Sequence, residues 1–106
     1  MTTEDTLKID AQKTGADLTV SLDGKINAVT APELQNELKN LLTEEITKII
    51  LDFAAVTFLS SAGIRTILWT VTQMNGRQGT MILKNVTDTV KEVFVLTELD
   101  TALNFE

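Results

Sequence analysis

The sequence predicts an α/β fold with a mixed β-sheet of four to five strands and helices. Two short segments near the start alternate apolar and polar residues, which is typical of strands toward the side of a sheet. Further along, runs of Ile, Leu and Val alternate with segments of helical periodicity, which favours parallel strands joined by helices. The expected order is β-β-α-β-α-β-α, and the last residues allow one more strand.

The alternating segments are 7–11 and 18–22, and residues 14–17 (Thr-Gly-Ala-Asp) between them have the composition of a turn. We therefore expect the first two strands to form a hairpin. Residues 23–27 (Asp-Gly-Lys-Ile-Asn) are expected to break the second strand.

The first helix is expected to begin at residues 30–33 (Thr-Ala-Pro-Glu). Thr30 and Glu33 match a capping box, and proline is tolerated in the first turn because no N–H is needed there. Leucines then recur on one face of this helix, at Leu34, Leu38, Leu41 and Leu42. This pattern predicts a helix whose role is packing.

The run 48–52 (Lys-Ile-Ile-Leu-Asp) predicts a central strand, buried on both faces and flanked by helices. A short extended link through residues 53–59 leads to Ser60-Ser61-Ala62-Gly63. Apolar residues then follow at helical spacing, at Ile64, Ile67, Leu68 and Val71. The second helix is expected to reach about Met74, with Gly76 as a left-handed cap.

Two adjacent serines therefore sit at a helix N-terminus. The first backbone N–H groups of a helix lack internal partners and carry partial positive charge, so a hydroxyl caps well and an anion is favoured there. Serine at such a position is commonly only a cap. Ser60 is the better candidate for that role because it comes earlier.

The remaining elements are a buried strand at 80–84, a helix from Asp88 to about Leu96, and a last strand within 101–105. The apolar side of this third helix is expected to comprise Val86, Val90, Val93, Phe94 and Leu96.

Composition excludes several kinds of chemistry. With 106 residues the chain is expected to be a single domain, 1–106, and it has no cysteine and no histidine. Disulfides, thiolate or imidazole metal sites and Ser-His-Asp arrangements are thus excluded, no phosphate-binding loop is found, and we expect neither an enzyme nor a cofactor. A net charge of −6 argues against nucleic acid. Without a signal peptide or an apolar span, the protein is expected to be cytoplasmic with no membrane contact.

The motif V-x-F-L-S-S-A-G-I-R at residues 56–65, following a buried strand, resembles the phosphorylation-site signature of STAS domains, specifically the bacterial anti-sigma factor antagonists. The element order is compatible with the STAS fold. The resemblance implies that a partner kinase phosphorylates Ser61, with Ser60 as second choice. Asn27 and Ser60 stand where the family often has aspartates, which implies weaker electrostatic steering of a basic partner.

The resemblance also implies a mechanism. Antagonists of this family bind an anti-sigma factor that is itself a serine kinase of the GHKL ATPase type, and so free a sigma factor. Phosphorylation ends binding, and a phosphatase resets the switch; the PP2C type is the candidate class here. The partner-binding residues expected here are Ser60, Ser61, Ala62, Gly63, Arg65, Trp69 and Asn27. The alternative function is a constitutive STAS interaction module of a signalling scaffold or transport complex, without phosphorylation.

Trp69 has two interpretations. On a helical wheel it shares a side with Arg65, opposite the apolar stripe of the second helix. An exposed tryptophan there suits a partner-binding anchor. A tryptophan folded over the edge of the core is the structural alternative.

Overall fold

The computed structural model describes residues 6–106; the acidic residues 1–5, in which no signal peptide is expected, lie outside this range. The elements in chain order are β1 (Leu7–Thr14), β2 (Asp17–Ile26), α1 (Thr30–Leu41), β3 (Lys48–Leu59), α2 (Ser61–Gly76), β4 (Thr80–Lys84), α3 (Asp88–Leu96) and β5 (Asn104–Phe105). One five-stranded sheet has the order β1-β2-β3-β4-β5, with β1 antiparallel to β2 and all other neighbours parallel. The predicted α/β class and element order are confirmed.

The predicted hairpin is confirmed, and its turn uses Gly15 at a φ of +62°. The predicted break of the second strand is wrong. β2 continues to Ile26 through shifts in its pairing register with β3 on either side of Gly24. Gly24 has a φ of +128°, and a Cβ atom there would lie 2.4 Å from the carbonyl oxygen of Thr6. Glycine therefore lets the strand change register and continue.

The core lies on one face of the sheet. Buried strand residues are in register across three strands: Leu18 and Val20 on β2, Ile49 and Leu51 on β3, Met81 and Leu83 on β4. Leu22 and Phe53, the next alternate residues of β2 and β3, are buried too. The buried apolar residues of all three helices belong to the same hydrophobic cluster. The alternate strand positions, such as Ser21, Ile50 and Lys84, are exposed or half-buried. The expectation that 48–52 is buried on both faces is therefore wrong, because the helices cover only one face.

The start of α1 differs from the predicted capping box. Thr30 is the first helical residue, and the N-cap, Val29, makes no side-chain cap. Asn27 supplies the acceptor instead: its Oδ1 accepts hydrogen bonds from the N–H groups of Val29 (2.9 Å) and Thr30 (3.0 Å). The Thr30 hydroxyl donates to the carbonyl oxygen of Lys25 at 2.6 Å. The chain turn after β2 thus takes the threonine away from a capping role.

The second helix begins directly after β3, because the expected extended link is part of that strand. The prediction that Gly76 is the left-handed cap of this helix is wrong. Gly76 is its last helical residue, and Gln78 adopts the left-handed conformation (φ +58°). The buried face also differs, comprising Gly63, Ile64, Thr66, Ile67, Thr70 and Met74, with Leu68 and Val71 half-buried. The reason is that α2 packs against α1 as well as the sheet, and the Thr66 hydroxyl reaches the carbonyl oxygen of Ala31 at 3.4 Å.

The third helix has the predicted bounds, and the Thr87 hydroxyl caps it by accepting from the Val90 N–H. Phe94 is fully buried between Phe53 and Phe105, with ring centroids 6.4 and 5.4 Å away. The expectation that Leu96 packs on the apolar side is wrong: it is 76% exposed. Two residues along a helix lie on nearly opposite sides, so Leu96 points away when Phe94 points inward.

Candidate functional site

The N-terminus of α2 is built at the edge of the sheet where β2 and β3 end. The backbone N–H of Ser60 donates to the carbonyl oxygen of Ile26 at 2.9 Å, which ties the start of the helix to the last residue of β2. Ser60 is extended (φ −95°, ψ 175°), and its Oγ accepts from the Gly63 N–H at 3.2 Å. The predicted capping role of Ser60 is confirmed.

Gly63 lets the first turn of α2 lie directly on the core. A Cβ atom at this position would be 2.6 Å from Cδ1 of Leu59 and 2.7 Å from Cγ2 of Ile26. Gly63 is buried. The side of the turn on which Gly63 lies faces inward, so the structure gives this residue a packing role, and its contact with a partner stays a prediction.

Ser61 is the first residue of α2 and is exposed. Its hydroxyl makes no hydrogen bond to any residue in 6–106. The two serines are thus separated by geometry: one hydroxyl caps the helix, and the other is displayed to solvent at the positive end of the helix dipole. The hydroxyl of Ser61 takes no part in the cap.

Three predicted site residues form a line along α2. Ser61, Arg65 and Trp69 are four residues apart, so they share one side of the helix. Arg65 is exposed, and Trp69 is half-buried and packed against the edge of the core. Trp69 thus combines both interpretations, since one part of the ring is covered and the rest is open to contact.

A groove of about 280 Å³ runs between α1 and α2 next to this line. Ala62 and Arg65 line one side, and Gln35 and Lys39 line the other. Within residues 6–106 the lining includes two cations and no carboxylate. Gln35 and Lys39 were not predicted as site residues, although Ala31, Gln35 and Lys39 recur at four-residue spacing, which marks one face of α1.

Asn27 lies close to the same edge, and its side chain caps the start of α1. It is half-buried, and its side-chain oxygen is occupied by the first N–H groups of α1. A carboxylate could accept the same two bonds, so the departure from the family pattern at this position leaves the helix start intact. An aspartate here would add a negative charge and would lack the amide donor of Asn27.

Two exposed apolar side chains at the same end of the sheet were not predicted as site residues. Phe58, near the end of β3, is 48% exposed, and Val29, just before α1, is 59% exposed. Phe58 pairs in register with Lys25, two residues before Asn27. No sequence signal marks either side chain as exposed. Alternation from buried Val56 predicts that Phe58 is buried, and the register shift between these two residues is seen only in the pairing of β3 with β2.

The Lys13–Glu45 ion pair lies away from the serines. Lys13 donates to Glu45 at the opposite edge of the sheet, and this hydrogen bond lowers the pKa of Glu45 to about 2. Over residues 6–106, no group of acidic side chains has an arrangement that could hold a metal ion. None of the helices in that range combines the length and hydrophobicity that crossing a membrane requires.

The STAS domain family model matches residues 8–106. The chain belongs to the STAS family. Among curated proteins, this STAS chain is 30% identical over 88 residues to BtrV of Bordetella bronchiseptica, which is named for a proposed role as an anti-sigma factor antagonist. The match covers 83% of the chain and 76% of BtrV. The resemblance to anti-sigma factor antagonists is confirmed.

Solved structures agree with the STAS fold. An anti-sigma factor antagonist from Mycobacterium paratuberculosis has a TM-score of 0.86 at 22% identity, covering 99% of this chain and 89% of that one. SpoIIAA, an anti-sigma factor antagonist of Bacillus, has a TM-score of 0.81 at 20% identity in its unphosphorylated form, covering 93% and 88%. In its phosphorylated form the TM-score is 0.74 at 19% identity, covering 93% and 91%. The TM-scores establish that the fold is shared, and at identities this low the matches show the fold alone.

Proposed function

We propose that this STAS protein is an anti-sigma factor antagonist whose binding is switched by phosphorylation of Ser61. The unmodified protein binds, in the cytoplasm, an anti-sigma factor that is also a serine kinase of the GHKL ATPase type, and a sigma factor is released. The kinase then modifies Ser61 and the complex dissociates. A phosphatase of the PP2C type restores the hydroxyl.

The observation that carries this proposal is that Ser61 is exposed and its hydroxyl takes no part in the helix cap. In the transfer, Oγ of Ser61 forms a bond to the γ-phosphorus of ATP while the bond from that phosphorus to ADP breaks. The hydroxyl proton passes to a base of the kinase, which also supplies magnesium. Ser61 is the substrate of this reaction and needs no catalytic neighbour in its own chain.

The physics of the switch follows from the position of Ser61. A phosphoryl group adds between about 1.5 and 2 negative charges, which the N-terminus of α2 accommodates within the folded domain. The same charge enclosed in a protein interface loses its hydration without an assured partner. Modification therefore ends binding while the fold persists. Ser60 is the poorer acceptor because its Oγ already accepts from Gly63.

The partner-facing surface consists of the exposed part of this edge. Ala62, Arg65 and Trp69 extend from Ser61 along α2, and the exposed Phe58 and Val29 continue the surface toward β3 and α1. Aromatic and arginine side chains commonly dominate binding energy in interfaces. Phe58 and Val29 form an apolar part of this surface, which is more stable in contact with a partner than in water.

The test uses the anti-sigma kinase of the same organism, ATP and intact-protein mass spectrometry. Wild type and Ser60→Ala should gain about 80 Da, the mass of one phosphoryl group, and Ser61→Ala should not. Ser61→Ala should bind the kinase persistently, and Ser61→Asp should bind it weakly. The proposal fails if wild type gains no mass and Ser61→Asp binds as wild type does.

The second candidate is a constitutive STAS interaction module of a signalling scaffold or transport complex. Asn27 and Ser60, in place of the aspartates common in the family, favour it. Under this function Ser61→Ala, Ser61→Asp and wild type bind their partner equally. The same binding measurement therefore separates the two candidates.

A further inference from the structure

We infer that Arg65 holds the phosphoryl group of phosphorylated Ser61, so that modification both adds negative charge and withdraws a cation from the partner-facing surface. This inference rests on the proposed function for its biological role. Its physical content concerns only two side chains on one helix.

The two residues are placed to meet. Ser61 and Arg65 are both exposed and stand at positions i and i+4 of α2, where Cβ atoms are roughly 5–6 Å apart. Side chains of a helix lean toward its N-terminus, so the Arg65 side chain lies over the turn that contains Ser61. An anion placed N-terminal to a cation at this spacing is the favourable order of the pair.

The guanidinium of Arg65 is available for this contact. It forms neither a hydrogen bond nor an ion pair with any residue in 6–106. Arg77, near the end of the same helix, differs: its Nη1 donates to the carbonyl oxygens of Thr43 at 2.7 Å and Ile46 at 3.2 Å. Arg77 thus stabilises the fold, whereas the Arg65 guanidinium has no polar partner within residues 6–106.

No acidic side chain of α2 competes with a phosphate for Arg65, because none stands three or four residues from it along the helix. The adjacent helix α1 carries Glu33, Glu37 and Lys39, and β2 has Lys25 near its end. Of these four side chains, only Lys39 lines the groove beside Arg65. The groove beside Arg65 has no carboxylate in its lining. The planar fork of a guanidinium can donate two parallel hydrogen bonds to phosphate oxygens, which a lysine ammonium cannot do.

The consequence is a second contribution to the switch. In the unmodified protein, Arg65 is free to bind a carboxylate of the partner. In the phosphorylated protein its charge is neutralised within the chain. Dissociation is then driven by loss of an attractive group as well as by the arrival of a repulsive one.

The experiment places phosphoserine at position 61 during translation, by suppression of a stop codon, so that no kinase is needed. The second pKa of the phosphate is followed by ³¹P NMR in the full chain, with Arg65→Gln, Arg65→Lys and the matched control Lys39→Gln. We expect wild type to titrate below the ordinary value of about 6. Arg65→Gln should raise this pKa by about half a pH unit, and Lys39→Gln should not. Arg65→Lys should give an intermediate value.

Equal pKa values in wild type and Arg65→Gln would overturn the inference, as would an equal shift in Lys39→Gln, which would indicate only the general field of the groove. Circular dichroism of each variant verifies that the fold is retained. Because the phosphate is installed without the kinase, failure of the kinase to modify Ser61 would defeat the proposed function and leave this result unchanged.

Discussion

The carbonyl oxygen of Ile26 accepts a 2.9 Å hydrogen bond from the backbone N–H of Ser60. This bond joins the last residue of β2 to the residue that caps α2. The turn that starts α1 follows Ile26 directly, so the N-termini of both helices are held at one point of the sheet edge. The display of Ser61 depends on that junction, which makes the junction the place to test.

Gly63→Ala should lower the free energy of unfolding by about 1–3 kcal/mol, because the added methyl group collides with Leu59 and Ile26. Urea denaturation measures the change. Gly76→Ala is the matched control in the same helix: nothing lies within 4 Å of its added Cβ, and it should be neutral or stabilising. Equal effects at the two glycines would contradict the close packing of the α2 N-terminus.

Ser60→Ala should cost about 1 kcal/mol of stability, because the Gly63 N–H loses the cap that now accepts it. Ser61→Ala should change stability by less than about 0.5 kcal/mol, since its hydroxyl is exposed and has no partner in the described residues. Thermal unfolding of the two variants side by side checks both. The opposite ranking would reverse the roles assigned to the serines.

Arg77→Gln should destabilise the domain by about 1 kcal/mol or more, because the guanidinium donates to carbonyl oxygens that follow α1. Arg65→Gln should leave the stability of the unmodified protein unchanged within about 0.5 kcal/mol. Chemical denaturation of this pair distinguishes a structural arginine from a free one. A large loss in Arg65→Gln would show that Arg65 has a packing role.

Glu45 makes stability depend on pH at the edge opposite the serines. Its pKa is lowered from 4.5 to about 2, chiefly by the hydrogen bond from Lys13. A carboxyl with a lowered folded-state pKa stabilises the fold above pH 4.5, and this contribution is lost as the pH falls toward 2. Wild type should therefore lose more stability than Glu45→Gln between pH 6 and pH 2.5. The pair is exposed, so added salt should reduce this difference in stability. As a control, Glu44→Gln should lose as much stability as wild type over the same pH range.

Trp69 is the only tryptophan and offers a direct reading of the partner surface. Because it is half-buried, iodide should quench part of its fluorescence in the free protein. Binding of the anti-sigma kinase should protect it. Quenching that is unchanged in the complex would remove Trp69 from the interface.

The sequence alone determined the order of the elements, the hairpin and the helix that starts at the serines. These features are local: alternation marks a strand, four-residue spacing marks a helix, and small polar residues mark the junction between them. The same local reasoning assigned the capping role to Ser60.

Tertiary structure decided which side chains are covered and which are displayed. Thr66 is buried and Leu96 exposed because their surroundings come from distant segments, α1 for one and the Phe53–Phe94–Phe105 contacts for the other. Thr30 became the first helical residue because Lys25 and Asn27 hold it. Burial and hydrogen bonding depend on neighbours far along the chain, which a periodic pattern cannot name, and so the burial of Gly63 and the half-burial of Trp69 emerged only from the folded domain.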